Sequence, residues 1–294
     1  MRKIFFLWAL TILSTIASAQ TGSSKLPPGT APFVLGAVDT ISSEVLHEKR
    51  ILNIYLPEGY DANDTVKYPV VYLLDGSADE DFIHVVGLYQ FNNFSWINQV
   101  PKSIIVGIAT VDRKRGFTFR SAVAEEQKRY PTSGHSDQFI RFLEHYLQPY
   151  IRQKYKGTGV KTIIGQSLGG LLATEILLKK PAVFDQYIIS PSLWWSDRAL
   201  LNVPVKDLGQ AHAGNRNVYI GVGKEGLMPG PHPGVMEVDA NLLAEKIKAA
   251  GNKAVQVFLD YLPEEDHATV MHQAFFNALR LLNSMNKQNA CKCA

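Results

Sequence analysis

One feature constrains this chain more than any other: a short apolar strand that runs straight into a glycine-flanked serine and then into a helix. The segment is Ile163-Ile164-Gly165-Gln166-Ser167-Leu168-Gly169-Gly170, and helical sequence continues to residue 180. In a G-x-S-x-G turn of this kind the serine hydroxyl is lifted clear of the strand end. Gly165 and Gly169 carry no Cβ that would clash with each other or with a neighbouring strand. The first amides of the following helix bring donors and a partial positive charge beside the hydroxyl. A serine hydroxyl is a poor nucleophile unless a base takes its proton. The turn therefore predicts two partners downstream, in the order serine, acid, histidine.

Strand patterns alternate with helical ones on both sides of this turn. Residues 50–56 alternate and stop at Pro57-Glu58-Gly59. Residues 68–74 are apolar almost throughout and stop at Asp75-Gly76, as a strand buried on both faces reads. Further strands are expected at 103–109, 161–164, 185–190, 217–222 and 254–261. Helices are expected over 136–154, where apolar residues recur three and four apart, and over 168–180, 239–250 and 267–282. This alternation predicts an α/β protein with a mostly parallel central sheet and helices on both faces. With the serine turn it specifies the α/β-hydrolase fold. No internal repeat and no linker follows residue 34, so residues 34–288 read as one domain and 289–294 as a tail.

Of the eight histidines, His232, His267 and His272 follow both the serine and the strand at 217–222. His267 lies just past the last strand, in Pro263-Glu264-Glu265-Asp266-His267, where a loop carries it over the nucleophile; it is the expected base. His272 falls inside the last helix and His232 between two prolines. Glu225, just past the strand at 217–222, is the expected acid, holding the imidazole tautomer and stabilising its charged form. Asp197, Asp260 and Asp266 are alternatives for that role, as is a dyad without a strong acid. An oxyanion hole needs two amide donors, expected from Leu168 and from Ser77 after the strand ending at Asp75-Gly76. Arg113 and Arg115 offer fork-shaped donors to an anionic ligand, or are solvated loop residues. Trp194 and Trp195 offer rings to an aromatic substrate group, unless one is taken up by the core.

Taken in order, Leu73-Leu74-Asp75-Gly76, the turn at 165–170, Ser190-Pro191-Ser192-Leu193-Trp194-Trp195 and the Glu225 and His267 segments resemble the putative-esterase family over roughly residues 45–285. The resemblance implies a serine carboxylic-ester hydrolase that acts on a small-molecule ester through an acyl-enzyme, with Ser167, Glu225 and His267 as its triad. The tryptophan segment is most similar to the branch that hydrolyses ferric enterobactin-like trilactones. Feruloyl or acetyl-xylan esterases, and acyltransferases on the same fold, are the other readings. One departure stands out. The branch's R-x-R-D-hydrophobic-T-P segment reads Arg113-Lys114-Arg115-Gly116-Phe117-Thr118-Phe119, with glycine for the aspartate and phenylalanine for the proline.

The N-terminus has a separate character. Arg2 and Lys3 precede an apolar run over 4–16 and then Ala17-Ser18-Ala19, the three-part pattern of a secretory signal peptide. The run is too short to span a bilayer comfortably. Residues 20–33, rich in Ser, Gly, Pro and Thr, read as a flexible leader. Loss of residues 1–19 removes two positive charges and takes the formal net charge from +3 to +1. That is too near neutrality for a general binder of nucleic acid. The only cysteines, Cys291 and Cys293, stand at the end of the chain without metal-ligand spacing, so no metal, no cofactor and no disulfide-held core is expected. The expectation is a secreted or periplasmic protein with no stable membrane insertion after signal cleavage. N-terminal sequencing of exported protein should then read from Gln20; an intact Met1 in the membrane fraction overturns this.

Overall fold

The run at 68–74, apolar almost throughout, becomes an inner strand of a sheet, and the alternating run at 50–56 lies towards one edge. The computed structural model describes residues 27–205, 208, 216–227, 235–251 and 253–292. The expected signal peptide, most of the leader, His232 and Cys293 lie outside the described residues. Up to Val34 the chain is a unit of its own, with a turn in which Thr30 Oγ1 donates to the Pro27 carbonyl at 2.7 Å.

From Leu35 the elements run β1 (Ala37–Ser43), β2 (Glu48–Tyr55), β3 (Tyr68–Leu74), α1 (Phe82–Asn93), β4 (Ile104–Ile108), α2 (Arg113–Phe117), α3 (Ala124–Arg129) and α4 (Ser136–Phe142). After a π-helical turn at Leu143–Leu147 come α5 (Gln148–Tyr155), β5 (Gly157–Ser167), α6 (Leu168–Lys179), β6 (Gln186–Pro191) and α7 (Trp195–Asn202). Then follow β7 (Arg216–Gly223), α8 (Met236–Ala249), β8 (Val255–Leu262) and α9 (Val270–Lys292). Among the described residues the strands form one sheet in the order β1-β2-β4-β3-β5-β6-β7-β8. β1–β2 and β2–β4 are antiparallel; every other pairing is parallel. The sheet is thus mostly parallel, as the alternation predicted, with its antiparallel pairs confined to one edge.

Successive side chains on a strand point to opposite faces, and β3 shows how that divides the core. Val70, Tyr72 and Leu74 join a cluster that includes Phe142 and Leu143, Leu171, Leu172 and Ile176 of α6, and Leu243 of α8. Val71 and Leu73 join the other cluster, with Phe82 and Val85 of α1 and Phe275 and Leu279 of α9. Burying each such side chain stabilises the fold by about 1.5–3 kcal/mol. Periodicity missed α1 because its sequence, FIHVVGLYQFNN, is apolar nearly all round and marks no single face. The expected helix over 136–154 is α4 and α5 joined through the π-helical turn. No helix among the described residues is long and apolar enough to cross a membrane.

The β1 edge is tied down by Asp39. Its carboxylate accepts from Tyr150 Oη and Tyr155 Oη, each at 2.7 Å, and from Lys154 Nζ at 2.9 Å, all on α5. Burial raises the pKa of this carboxyl, but the bonds from Tyr150, Tyr155, Lys154 and the Thr40 amide outweigh it and hold the group well below the usual carboxylate range. A depressed folded-state pKa contributes stability above the unfolded value of about 3.9 and loses it as pH falls towards the folded value. Lys154 is half exposed and adds little, so the tyrosine bonds dominate. Asp39→Asn should cost about 1–2 kcal/mol at pH 7. In thermal melts its deficit against wild type should shrink below pH 4.

Candidate active site

Ser167 sits where β5 ends and α6 begins, with φ 56° and ψ −119°. A non-glycine residue there is strained, by about 1–3 kcal/mol, and survives because its neighbours leave room. A Cβ on Gly165 would lie 2.5 Å from the Gly169 carbonyl group. A Cβ on Gly170 would lie 2.5 Å from the Ser190 carbonyl oxygen on β6. Gly169 itself is less crowded than the sequence suggested; a Cβ there would make ordinary contacts of 3.4 Å with Leu74 and Asp75. The tight pair is therefore Gly165 and Gly170. The start of α6 has no side-chain cap, so its first amides, Leu168 included, face outward unused by side chains. Ser192 Oγ lies 3.4 Å from Ser167 Oγ, and the Ser192 amide donates to the Ser167 carbonyl at 3.2 Å.

Two loops at the ends of β7 and β8 meet beside this serine. His267 Nδ1 lies 2.5 Å from Glu225 Oε2. The Glu225 side chain is 3% exposed and the His267 side chain 42%. A proton on Nδ1 shared with the carboxylate leaves Nε2 as the free, basic nitrogen. The loops are stitched together, since the Lys224 amide donates to the Glu265 carbonyl at 2.7 Å and a Cβ on Gly223 would collide with that same carbonyl. Glu237, in the first turn of α8, accepts from the amides of Glu225 at 3.1 Å and Gly226 at 3.1–3.2 Å. The Gln166 side-chain amide donates to the His267 carbonyl, which anchors the histidine loop to the residue before Ser167. Among the described residues no hydrogen bond joins His267 to Ser167. In unliganded sites such bonds are often long and tighten around substrate.

Among the described residues Glu225 alone of the candidate acids hydrogen-bonds the His267 ring. Asp260 is occupied by Tyr219 Oη at 2.5 Å and Asn277 Nδ2 at 2.8 Å. Asp266 accepts from the amides of Ala268 and Thr269 just ahead of α9. His272 pairs instead with His84, at 3.1 Å between ring nitrogens.

Of the outer residues, Trp195 is the one the structure withdraws from the surface. Trp195 is 1% exposed and its Nε1 donates to the Phe119 carbonyl at 2.7 Å, so it is a core residue with no face for a substrate. Trp194 remains half-buried beside Tyr130. Arg115 is held by the Leu46 carbonyl at 3.2 Å and by Glu48 at 3.7 Å. Arg113 is engaged by Asp75 and by the Gln166 carbonyl. The chain's own acceptors hold both arginines, whose side chains remain about a third exposed. The Ser77 amide donates to Glu80 Oε2 at 3.3 Å, a long bond in a half-exposed loop. Sequence reasoning passed over Asp75, Gln166, Ser192 and Glu237. Their only signal was position: directly after a strand for Asp75 and Ser192, beside the serine for Gln166, and in the first turn of a helix for Glu237.

Comparison with known proteins fits this geometry. A family model described as "Putative esterase" matches residues 43–273. The chain is 26% identical over 249 residues to ferri-bacillibactin esterase BesA of Bacillus subtilis, covering 80% of this chain and 85% of that protein. An IroE-like serine hydrolase from Shewanella oneidensis superposes with a TM-score of 0.73 at 30% identity, covering 85% of this chain and 80% of that one. The BES protein of Bacillus cereus has the same fold, at a TM-score of 0.73 and 24% identity over 88% of this chain and 99% of that one.

The Glu225 contact has a measurable consequence. Its hydrogen bond, the largest influence, raises the His267 pKa above the ordinary value of about 6.5; burial and Arg113 oppose this, and the charges of Glu225 and Asp266 add to it. The contribution to folding is accordingly full below the unfolded value and lost as pH rises through the folded one. An NMR titration of the His267 ring should give a midpoint above 6.5 in wild type and a lower one in Glu225→Gln. An unchanged midpoint would remove Glu225 as the partner of His267.

Proposed function

The chain belongs to the Putative esterase family, and from that premise we propose that it is an exported serine esterase with Ser167 as nucleophile, His267 as general base and Glu225 as the acid. The observation that carries this reading is the 2.5 Å contact between a buried carboxylate and a half-exposed imidazole whose loop is anchored to a positive-φ serine turn. His267 Nε2 accepts the Ser167 proton as Oγ bonds to the ester carbonyl carbon, and Glu225 stabilises the imidazolium. The oxygen of the tetrahedral intermediate is held by the Leu168 amide at the uncapped start of α6 and by the amide of Ser77, which must release Glu80 to serve. His267 returns the proton to the leaving alcohol as the C–O bond breaks. Water, deprotonated by the same nitrogen, then adds to the acyl carbon; the bond to Ser167 Oγ breaks, Oγ takes the proton back from His267 and the acid leaves.

For the substrate we infer a ferric catecholate siderophore ester. BesA is named for a ferri-bacillibactin ester and aligns with this chain over most of its length. Trp194 is the ring left to meet an aromatic acyl group, since Trp195 is buried. Ser167→Ala should fold as wild type, lose labelling by a fluorophosphonate and lose on the order of 10⁴–10⁶ in kcat. More than a tenth of wild-type turnover in that variant would sink the mechanism. On a panel of catecholate trilactone, feruloyl and acetyl esters, kcat/KM should be highest for the trilactone. A preference for either other ester would overturn the substrate and leave the mechanism standing.

A further inference from the structure

An ion pair is built against the serine turn, and the acyl-transfer steps give it no task. Asp75 directly follows β3 with φ 52°, a left-handed conformation uncommon for a residue with a Cβ. Its carboxylate accepts from Thr110 Oγ1 at 2.8 Å and from Arg113 Nε at 2.9 and 3.1 Å, and it pairs with Arg113 Nη2 at 2.9 Å. That same Nη2 donates to the Gln166 carbonyl at 3.1 Å. Gln166 precedes Ser167, and its side chain holds the His267 carbonyl. A continuous line of bonds thus joins the loop after β3, the serine turn and the histidine loop, three segments far apart in sequence.

The loop after β3 is pinned on its other side as well. Gly76 donates to the Ile108 carbonyl at 3.1 Å, and Asn53 Nδ2 donates to the Gly76 carbonyl at 2.8 Å. Gly76 packs so closely on Gly107 that a Cβ on it would lie 2.4 Å from the Gly107 Cα. The loop is thereby fixed to β4, and Arg113 is the part that fixes it to the serine turn. A guanidinium suits the task because it meets a carboxylate with two nitrogens in one plane and still has an N–H for a carbonyl. The ammonium of a lysine has no such fork.

Resting on the esterase reading of Ser167, we propose that Arg113 is a positioning residue, which through Asp75 and the Gln166 carbonyl sets the spacing between the Asp75–Gly76–Ser77 loop and the nucleophile. Arg113 acts on protein atoms and touches no reacting atom. Its loss lowers turnover while substrate binding persists.

The test is a set of variants, Arg113→Gln, Arg113→Lys, Asp75→Asn and the double variant Arg113→Gln/Asp75→Asn, measured for kcat and KM on one ester. Folding is checked by circular dichroism and melting. Each single change should lower kcat roughly 10- to 100-fold, the scale of a small misplacement of reacting groups, with KM within about twofold. Lysine should not rescue, and the double variant should lose no more than the worse single one, because both break the same brace. A raised KM with kcat unchanged would make Arg113 a substrate contact and overturn the proposal, as would additive losses. If the Asp75 and Arg113 variants fail to fold, Thr110→Val removes one donor from the same carboxylate; it should lower kcat at unchanged KM, and an unaltered kcat overturns the proposal. Wild-type protein that neither turns over ester nor takes a fluorophosphonate label defeats the esterase reading itself. Active wild type beside a fully active Arg113→Gln defeats only the brace.

Discussion

Everything at the site depends on one backbone contact, the approach of β5 to the first turn of α6. Ser167 holds φ 56° because Gly165 lets the Gly169 carbonyl group come within the space of a Cβ, and because Gly170 lets α6 sit against Ser190 and Pro191 of β6. The strain in the serine is offset by burial around it. Leu171, Leu172 and Ile176 of α6 are fully buried, as are Ile163 and Ile164 of β5. The same geometry leaves the start of α6 without a side-chain cap. The strain at Ser167 and the uncapped start of α6 are thus one arrangement of the chain.

The charges around that turn divide the labour. Glu225 is buried and negative, and it favours a protonated imidazole; Arg113, on the other flank, opposes it. Glu237 accepts the Glu225 amide, so the loop carrying the acid is itself held by a carboxylate on a different element. His267 is fixed at its Nδ1 and at its carbonyl. Nε2 is the ring nitrogen outside these bonds.

The strands and the turn were legible because their signals are local. A strand meeting G-x-S-x-G needs only eight adjacent residues, and unbroken apolar runs announce strands covered on both faces. The pairing of Glu225 with His267 was legible by chain order, since each stands directly after a strand. What stayed hidden was which polar side chains the protein uses on itself. Arg113 and Trp195 look like ligand contacts in sequence, yet Asp75 lies 38 residues from the one and Phe119 lies 76 residues from the other. No local pattern encodes a partner at that distance. α1 escaped notice for the opposite reason: it is apolar even on its exposed side, at Ile83 and Phe91, so no single face stands out.

The sheet order explains why these residues meet at all. Asp75 follows β3, Thr110 and Arg113 follow β4, Ser167 ends β5, Ser192 follows β6, Glu225 follows β7 and His267 follows β8. These six strands are parallel neighbours in the sheet, so their C-terminal ends open on the same edge. In open α/β sheets that edge is where ligands bind, because the loops there leave strands buried on both faces and held rigid. β1 and β2, the antiparallel pair, carry none of Ser167, Glu225 and His267; β2 supplies Asn53, which holds the Gly76 carbonyl, and Glu48, which pairs with Arg115. Moving the acid or the base to the other edge would put it a full strand length from Ser167, beyond the reach of any side chain. Chain order and sheet order together therefore leave few carboxylates able to reach His267, and of the candidate acids Glu225 is the one hydrogen-bonded to its ring.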